Sequence, residues 1–214
     1  MSRSRPLRVA LTGGIATGKS HVRAKLARSG VPTLDADAIV HELLGPGTAV
    51  TSAVVERFGQ SVARPDGGVD RRALGRIVFA DDRARAALEA IVHPAVYERI
   101  AAWLASQAES GASLAVADIP LLYETGREGE FDAVVAVACD TGRQVERLMA
   151  RDGLPEAAAR ARLDAQWPIE RKVARADFVI RTDGTFEDTD RQVEDVLARL
   201  RSLALSRSGF RVQG

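Results

Sequence analysis

The chain has 214 residues, 46% of them hydrophobic and 28% charged, with a net charge of +1. That size and balance suit one globular core with an insertion and exclude two full-sized domains. The near-neutral charge offers no global field for nucleic acid or a membrane surface, the single cysteine, Cys139, excludes an internal disulfide framework, and no apolar run approaches a membrane-spanning length. A cytoplasmic protein is expected, with no nucleic-acid, membrane or obligate protein partner.

Leu7 to Thr12 reads as a short buried strand, followed directly by a glycine-rich loop. Val22 and Leu26 stand one helical turn apart within Ser20 to Ser29, and Gly30 is placed as a terminator. Val31 to Leu34 predicts a second strand running into Asp35-Ala36-Asp37, and Ile39, Val40, Leu43 and Leu44 then form one helical face. From Thr48 to about Glu109 the pattern is helical. Asp70 is a candidate N-cap for Arg71 to Phe79, and Asp81 or Asp82 for a helix reaching Ile91. His93-Pro94 is expected to interrupt there, because a residue before proline is pushed out of the helical region, and Ala95 to Ala108 predicts the next helix.

Strand character returns at Leu114 to Ile119 and Ala133 to Cys139, both nearly continuous apolar runs of the kind found in parallel strands buried on both faces. Thr141 to Ala150 and Pro155 to Gln166 are helical and rich in arginine. Phe178 to Arg181 is a last short strand, Val193 to Leu205 a closing amphipathic helix, and residues 206–214 a tail expected to be mobile. Alternating strands and helices predict an α/β fold with a doubly wound parallel sheet. The long helical stretch between strands two and three is too much for one crossover, and predicts a helical insertion at the sheet's carboxyl edge, where ligands bind in such folds.

Gly13-Gly14-Ile15-Ala16-Thr17-Gly18-Lys19-Ser20 matches G-x-x-x-x-G-K-[ST] at every position, between a strand and a helix. Its backbone amides and the following helix N-terminus favour an anion, Lys19 would reach the β- and γ-phosphates, and the Ser20 hydroxyl would ligate Mg²⁺. Only three of the 30 basic residues are lysines, and one of them stands in this loop. A nucleoside triphosphate is the expected ligand. Asp118, closing an apolar strand, is either the second Mg²⁺ carboxylate or a cap. Asp35 and Asp37 are either N-caps or include a general base for an acceptor hydroxyl. Arg143, Arg147 and Arg151 share one helical face, which either meets the γ-phosphate or is solvated.

The stretches ALTGGIATGKS, LDADAIVHELL, VDRRALGRIVF, IVHPAV, IPLLYETG, RLMARDG and ADFVIRTDG stand in the order and spacing of one family. In them the chain resembles the dephospho-CoA kinases along almost its whole length. The resemblance implies phosphorylation of the ribose 3′-hydroxyl of dephospho-CoA by ATP with Mg²⁺. It implies a P-loop core at 1–35, 111–140 and 171–214, a helical CoA-binding domain at 36–110 and a helical lid at 141–170. It points to Asp37 as the base, to Lys19, Arg147 and Arg151 at the transferred phosphoryl, and to Gly14, Ile15, Ala16, Thr17, Gly18, Lys19, Ser20 and His21 around the nucleotide. Ser20 and Asp118 would hold the metal. Arg71 or Arg72 would meet the substrate, with His93 either beside it or a capped core histidine, and Pro120, Leu121 and Glu124 would line the acceptor pocket, Glu124 being otherwise an ordinary surface acid. A P-loop kinase of another small acceptor, such as a nucleoside monophosphate, is the alternative.

The chain also departs from the family's usual pattern. Ala16 stands where glycine is typical, Thr17 where serine is, His21 where threonine is, and Asp183 where asparagine is. Alanine at position 16 costs little at negative φ and roughly 1–2 kcal/mol at positive φ. His21 keeps its backbone amide for the α-phosphate, and its ring either faces that phosphate or points away.

Overall fold

The computed structural model describes residues 5–209. Five strands form one sheet: β1 (Leu7–Gly13), β2 (Thr33–Asp35), β3 (Leu114–Asp118), β4 (Ala133–Ala138) and β5 (Phe178–Arg181), in the order β2-β3-β1-β4-β5. The pairs β1–β3, β1–β4 and β4–β5 are parallel. Every residue of β3 and β4 is buried, as continuous Ala/Val runs require of strands covered on both faces. Nine helices accompany the strands among the described residues: α1 (Lys19–Arg28), α2 (Ala36–Leu43), α3 (Ala49–Phe58), α4 (Arg71–Ala80), α5 (Asp82–Glu109), α6 (Thr141–Asp152), α7 (Glu156–Asp164), α8 (Ile169–Val173) and α9 (Phe186–Gly209).

Contacts divide the chain into two compact units. One holds residues up to Leu34 and from Leu104 onward, and the other is Asp35–Trp103. The core of the first joins Val9, Leu11, Val116, Val135 and Ile180 of the sheet to Val22 and Leu26 of α1 and to Val193, Leu197 and Leu200 of α9. Because β1 has β3 on one side and β4 on the other, the chain order reverses at β1, and its carboxyl end is the switch point where open α/β sheets bind ligands. The register pairs Leu11 with Asp118, so that the carboxylate ends β3 beside the start of the glycine loop.

The second unit is helical. Asp35, Thr48 and Asp70 cap α2, α3 and α4 through their side-chain oxygens. The expected break at His93-Pro94 is absent: α5 runs unbroken from Asp82 to Glu109 with Pro94 inside it. Val92, Val96 and Ile100 are buried at a spacing of four, whereas Pro94 and Ala90 are exposed. Proline's missing hydrogen bond therefore falls on the solvent face, where water can take the Ala90 carbonyl, and packing carries the helix through.

Two other boundaries differ from expectation. α9 begins at Phe186 rather than Val193 because Thr185 and Asp188 cap each other's backbone, with Thr185 N–H to Asp188 Oδ2 at 3.0 Å and Asp188 N–H to Thr185 Oγ1 at 3.1 Å. It also extends through Gly209, so the tail expected from residue 206 is helical at its start, and 210–214 lie outside the described residues.

Candidate active site

The phosphate loop is glycine-rich for steric reasons that its surroundings make explicit. A Cβ on Gly13 would lie 2.5 Å from the Val137 carbonyl oxygen, and one on Gly14 would lie 2.7 Å from Gln144 Nε2. Gly18, at φ 83, is the N-cap residue of α1, and no side chain caps that helix. Backbone donors at this uncapped start are what an anion would need. Thr17 is buried and braces the loop internally, its Oγ1 donating to the Gly14 carbonyl at 2.9 Å, while Thr182 Oγ1 donates to the Thr17 carbonyl at 2.7 Å. Ala16 has φ 60, the costly branch for alanine.

Lys19 and Asp118 meet. Lys19 Nζ donates to Asp118 Oδ1 at 2.5 Å, and Arg23 Nε lies 3.2 Å from the other carboxylate oxygen. Asp118 is 2% exposed, so it carries a charge-pairing role at the end of β3 rather than a surface cap. Ser20, the second residue of α1, is exposed. The His21 ring points to Asp190, with Nε2 and Oδ1 2.7 Å apart, and lies against the Phe186 ring at 4.7 Å between centroids. The His21 hydrogen bond, assisted by Lys25, holds the Asp190 carboxyl below its ordinary range. Beside Gly18 opens a cavity of about 560 Å³ lined by His21, Arg147, Thr182, Thr185 and Phe186 among others.

Of the three α6 arginines, Arg143 is exposed and the other two are placed differently from each other. Arg147 lies against the loop and the end of β5, donating to the Thr182 carbonyl at 2.6 Å and to Thr182 Oγ1 at 3.0 Å. Arg151, one turn on, is exposed and bonds to the neighbouring Asp152 at 2.7 Å. Past β3, the Pro120 carbonyl accepts from Lys172 Nζ at 2.8 Å and from Thr12 Oγ1 at 3.2 Å. Glu124 is not an ordinary surface acid: its Oε1 takes the Lys172 ammonium at 2.7 Å and the Trp167 N–H at 3.0 Å. Lys172 has no exposed surface, and burial pushes its ammonium below the ordinary lysine value against the opposing pull of Glu124. Leu121 is half-buried in the same stretch.

The remaining candidates belong to the helical unit. The capping role in the Asp-Ala-Asp pair falls to Asp35, whose Oδ1 accepts the Asp37 N–H at 3.0 Å, while Asp37 itself is exposed in the first turn of α2. Arg71 and Arg72 are exposed at the start of α4, with Arg71 Nη1 2.6 Å from His41 Nδ1, and His93 is half-buried on α5.

A family model described as dephospho-CoA kinase matches residues 7–188. The chain belongs to the dephospho-CoA kinase family. It is 49% identical over 193 residues to the dephospho-CoA kinase of Anaeromyxobacter dehalogenans, covering 90% of this chain and 92% of that one. It is 44% identical to the enzyme of that name from Thermobifida fusca, covering 94% of this chain and all of the relative. Among solved structures, the dephospho-CoA kinase from Campylobacter jejuni superposes with a TM-score of 0.70 at 27% identity, over 92% of this chain and 98% of that one. Shikimate kinase from Acinetobacter baumannii, at a TM-score of 0.51 and 17% identity, over 92% of this chain and 94% of that one, shares the fold. The protein is thus a kinase with a P-loop nucleotide-binding fold.

Within this kinase, four side chains escape a reading of motifs: Gln144, Gln166 and Thr182 at the loop, and Lys172 under the segment after β3. Gln144 is a polar residue among the apolar positions of α6 and is 3% exposed, and Lys172 is one of three lysines in an arginine-rich chain. Those two oddities of composition are the signals a sequence carries. Thr182 and Gln166 carry none, because their importance lies in what the fold sets beside them.

Proposed function

We propose that the protein transfers the γ-phosphoryl group of ATP to the 3′-hydroxyl of dephospho-CoA, giving coenzyme A and ADP in the cytoplasm. One observation carries the reading: a complete phosphate loop stands inside a family match that spans residues 7–188. The loop from Gly14 to His21 takes the phosphates on its backbone amides, with Ile15, Ala16, Thr17 and Gly18 supplying its turn, and Lys19 exchanges Asp118 for the β- and γ-phosphates. The cavity beside Gly18 has the size of a small-molecule site and suits the nucleoside.

Asp37 accepts the proton of the attacking hydroxyl. Arg71, Arg72 and His93 bind the substrate, and Pro120, Leu121 and Glu124 shape the acceptor wall that Lys172 holds from behind. Arg147 and Arg151 meet the transferred phosphoryl as residues 141–170 close over the nucleotide. Residues 36–110 bind the CoA portion, and 1–35, 111–140 and 171–214 form the nucleotide-binding core.

Ser20 and Asp118 fit Mg²⁺. Both are hard oxygen donors, the kind this ion takes alongside phosphate oxygens. When bound, the ion neutralises charge on the β- and γ-phosphates.

Incubating the protein with MgATP and dephospho-CoA and identifying the product by mass tests the reading. Coenzyme A should appear, and a folded Lys19→Ala variant should make none. Phosphorylation of shikimate or a nucleoside monophosphate, with dephospho-CoA left untouched, would refute it.

A further inference from the structure

Two glutamines hold the backbone of one phosphate-loop residue, Ile15, from outside, each on a different peptide plane. Gln144 Nε2, on α6, donates to the Ile15 carbonyl at 2.8 Å. Gln166 Oε1, in the connection between α7 and α8, accepts the Ile15 N–H at 2.9 Å. The fit is close: Gln144 is buried, and its amide nitrogen occupies the space that a Cβ on Gly14 would need. The side chains of Ile15 and Ala16 pack on the same side against Val145, Leu148 and Ala159 of α6 and α7. Immediately after Ile15 comes Ala16, the one non-glycine residue with positive φ among those described.

These facts are connected by the geometry of the peptide plane. The Ile15 carbonyl and the Ala16 N–H belong to one rigid trans plane and point in opposite directions. Holding the carbonyl on Gln144 fixes that plane, and with it the φ of Ala16. Released, the plane can flip by about half a turn, which carries φ of Ala16 from the left-handed region to an ordinary extended value. The same flip reverses the Ala16 N–H and removes it from the donors presented to phosphate. A glycine at this position would favour neither orientation, whereas alanine favours the flipped one.

We propose that Gln144 is a positioning residue for nucleotide binding, which holds the Ile15–Ala16 peptide plane and so keeps Ala16 in the left-handed conformation, with Gln166 bracing the Gly14–Ile15 plane before it. The inference rests on the loop's role as the phosphate site. Strain at one residue is thereby held by bonds from another part of the chain, as over-determined backbone requires.

The test is a rescue. Gln144→Met keeps the length and removes the donor. Its dissociation constant for ATP, measured by calorimetry, should rise roughly tenfold, which is about 1.4 kcal/mol, with KM for dephospho-CoA unchanged. Gln166→Met, in a less buried setting, should shift it in the same direction by about threefold, or about 0.7 kcal/mol. Adding Ala16→Gly removes the strain that the Gln144 bond opposes, so in that background Gln144→Met should weaken binding by about threefold at most, against about tenfold in the wild type. A general packing role for Gln144 would not be rescued by a change at residue 16.

The proposal is overturned if Gln144→Met weakens binding about tenfold in both backgrounds, or if it leaves binding unchanged in the wild type. Should Gln144→Met not fold, Gln144→Asn, whose shorter side chain stops short of the Ile15 carbonyl, decides by the same criterion. Failure of the phosphate-site reading looks different: the wild-type protein itself would then bind no ATP.

Discussion

Asp118→Asn is the substitution that best separates ion pairing from metal binding. In the free protein its carboxylate sits between Lys19 at 2.5 Å and Arg23 at 3.2 Å, with 2% exposure. Removing one partner of a fully buried pair costs about 3–5 kcal/mol. Here the cations left behind are 12% and 29% exposed and regain some hydration, so a loss of about 2 kcal/mol is expected in urea unfolding without nucleotide.

Binding should change in two opposing ways. Asp118 competes with phosphate for Lys19 and repels the triphosphate, so ATP without Mg²⁺ should bind more tightly to the variant. The variant also lacks the carboxylate proposed for the ion, so MgATP should gain less from its metal. The first effect acts on both forms of the nucleotide and largely cancels in the ratio of the ATP and MgATP dissociation constants, whereas the second lowers that ratio, by about tenfold, or about 1.4 kcal/mol. Calorimetry with and without Mg²⁺ reads that ratio directly. An unchanged ratio in a folded variant would refute the metal assignment and leave Asp118 a structural counter-ion to Lys19.

Asp37→Asn keeps the shape of the side chain and removes the proposed base, so kcat should fall on the order of 10²-fold or more in steady-state assays while ATP affinity stays near wild type. Arg147→Ala should lower both kcat and the melting temperature, because Arg147 also holds Thr182, whereas Arg151→Ala should lower kcat alone, because its bond is to the adjacent Asp152 at the surface. Equal melting temperatures for the two variants would contradict that difference. Asp132 ties the start of β1 to the end of α9, accepting from Arg5 at 2.7 Å, from the Arg8 N–H at 2.9 Å and from Arg207 at 3.0 Å. Burial alone would raise its carboxyl, but these donors outweigh burial and hold it below the ordinary carboxylate range. Its stabilisation is therefore complete above the unfolded-state pKa of about 3.9 and lost as pH falls through the lower folded value. Asp132→Asn should cost roughly 1–2 kcal/mol in urea unfolding at pH 7, the half-exposed arginines limiting the loss, and the gap to wild type should close in acid.

Sequence patterning located the sheet well because buried parallel strands leave uninterrupted apolar runs, and β5 was legible to the residue at Phe178–Arg181. The phosphate loop was legible for a different reason: its chemistry needs particular residue types at fixed spacing. Reading failed where local rules met a tertiary override. His93-Pro94 looked like a break, yet a buried face on both sides of Pro94 keeps α5 whole. The start of α9 was hidden because Thr185 and Asp188 make a reciprocal cap with aspartate in place of the usual glutamate or glutamine. Lys172 could be counted as a rare lysine, but its burial against Glu124 and Pro120 depends on the fold that brings α8 under the segment after β3.

The departures at Ala16, Thr17 and His21 follow one physical pattern. Each is met by partners far away in sequence: Ala16 lies beside a peptide held by Gln144 and Gln166, the Thr17 carbonyl accepts from Thr182, and the His21 ring lies between Asp190 and Phe186. The loop's residues therefore specify what it can bind, while its conformation is shared with α6, the α7–α8 connection and the start of α9. Because these segments and the residue after β5 contribute Arg147, Thr182 and Phe186 to the cavity beside Gly18, the groups that shape the loop also shape that cavity. A substitution in the loop and one in these segments should not act independently, since residues that share partners couple. That coupling explains how alanine can stand at a left-handed position here: the strain is local, and the bonds that oppose it come from the elements that surround the loop.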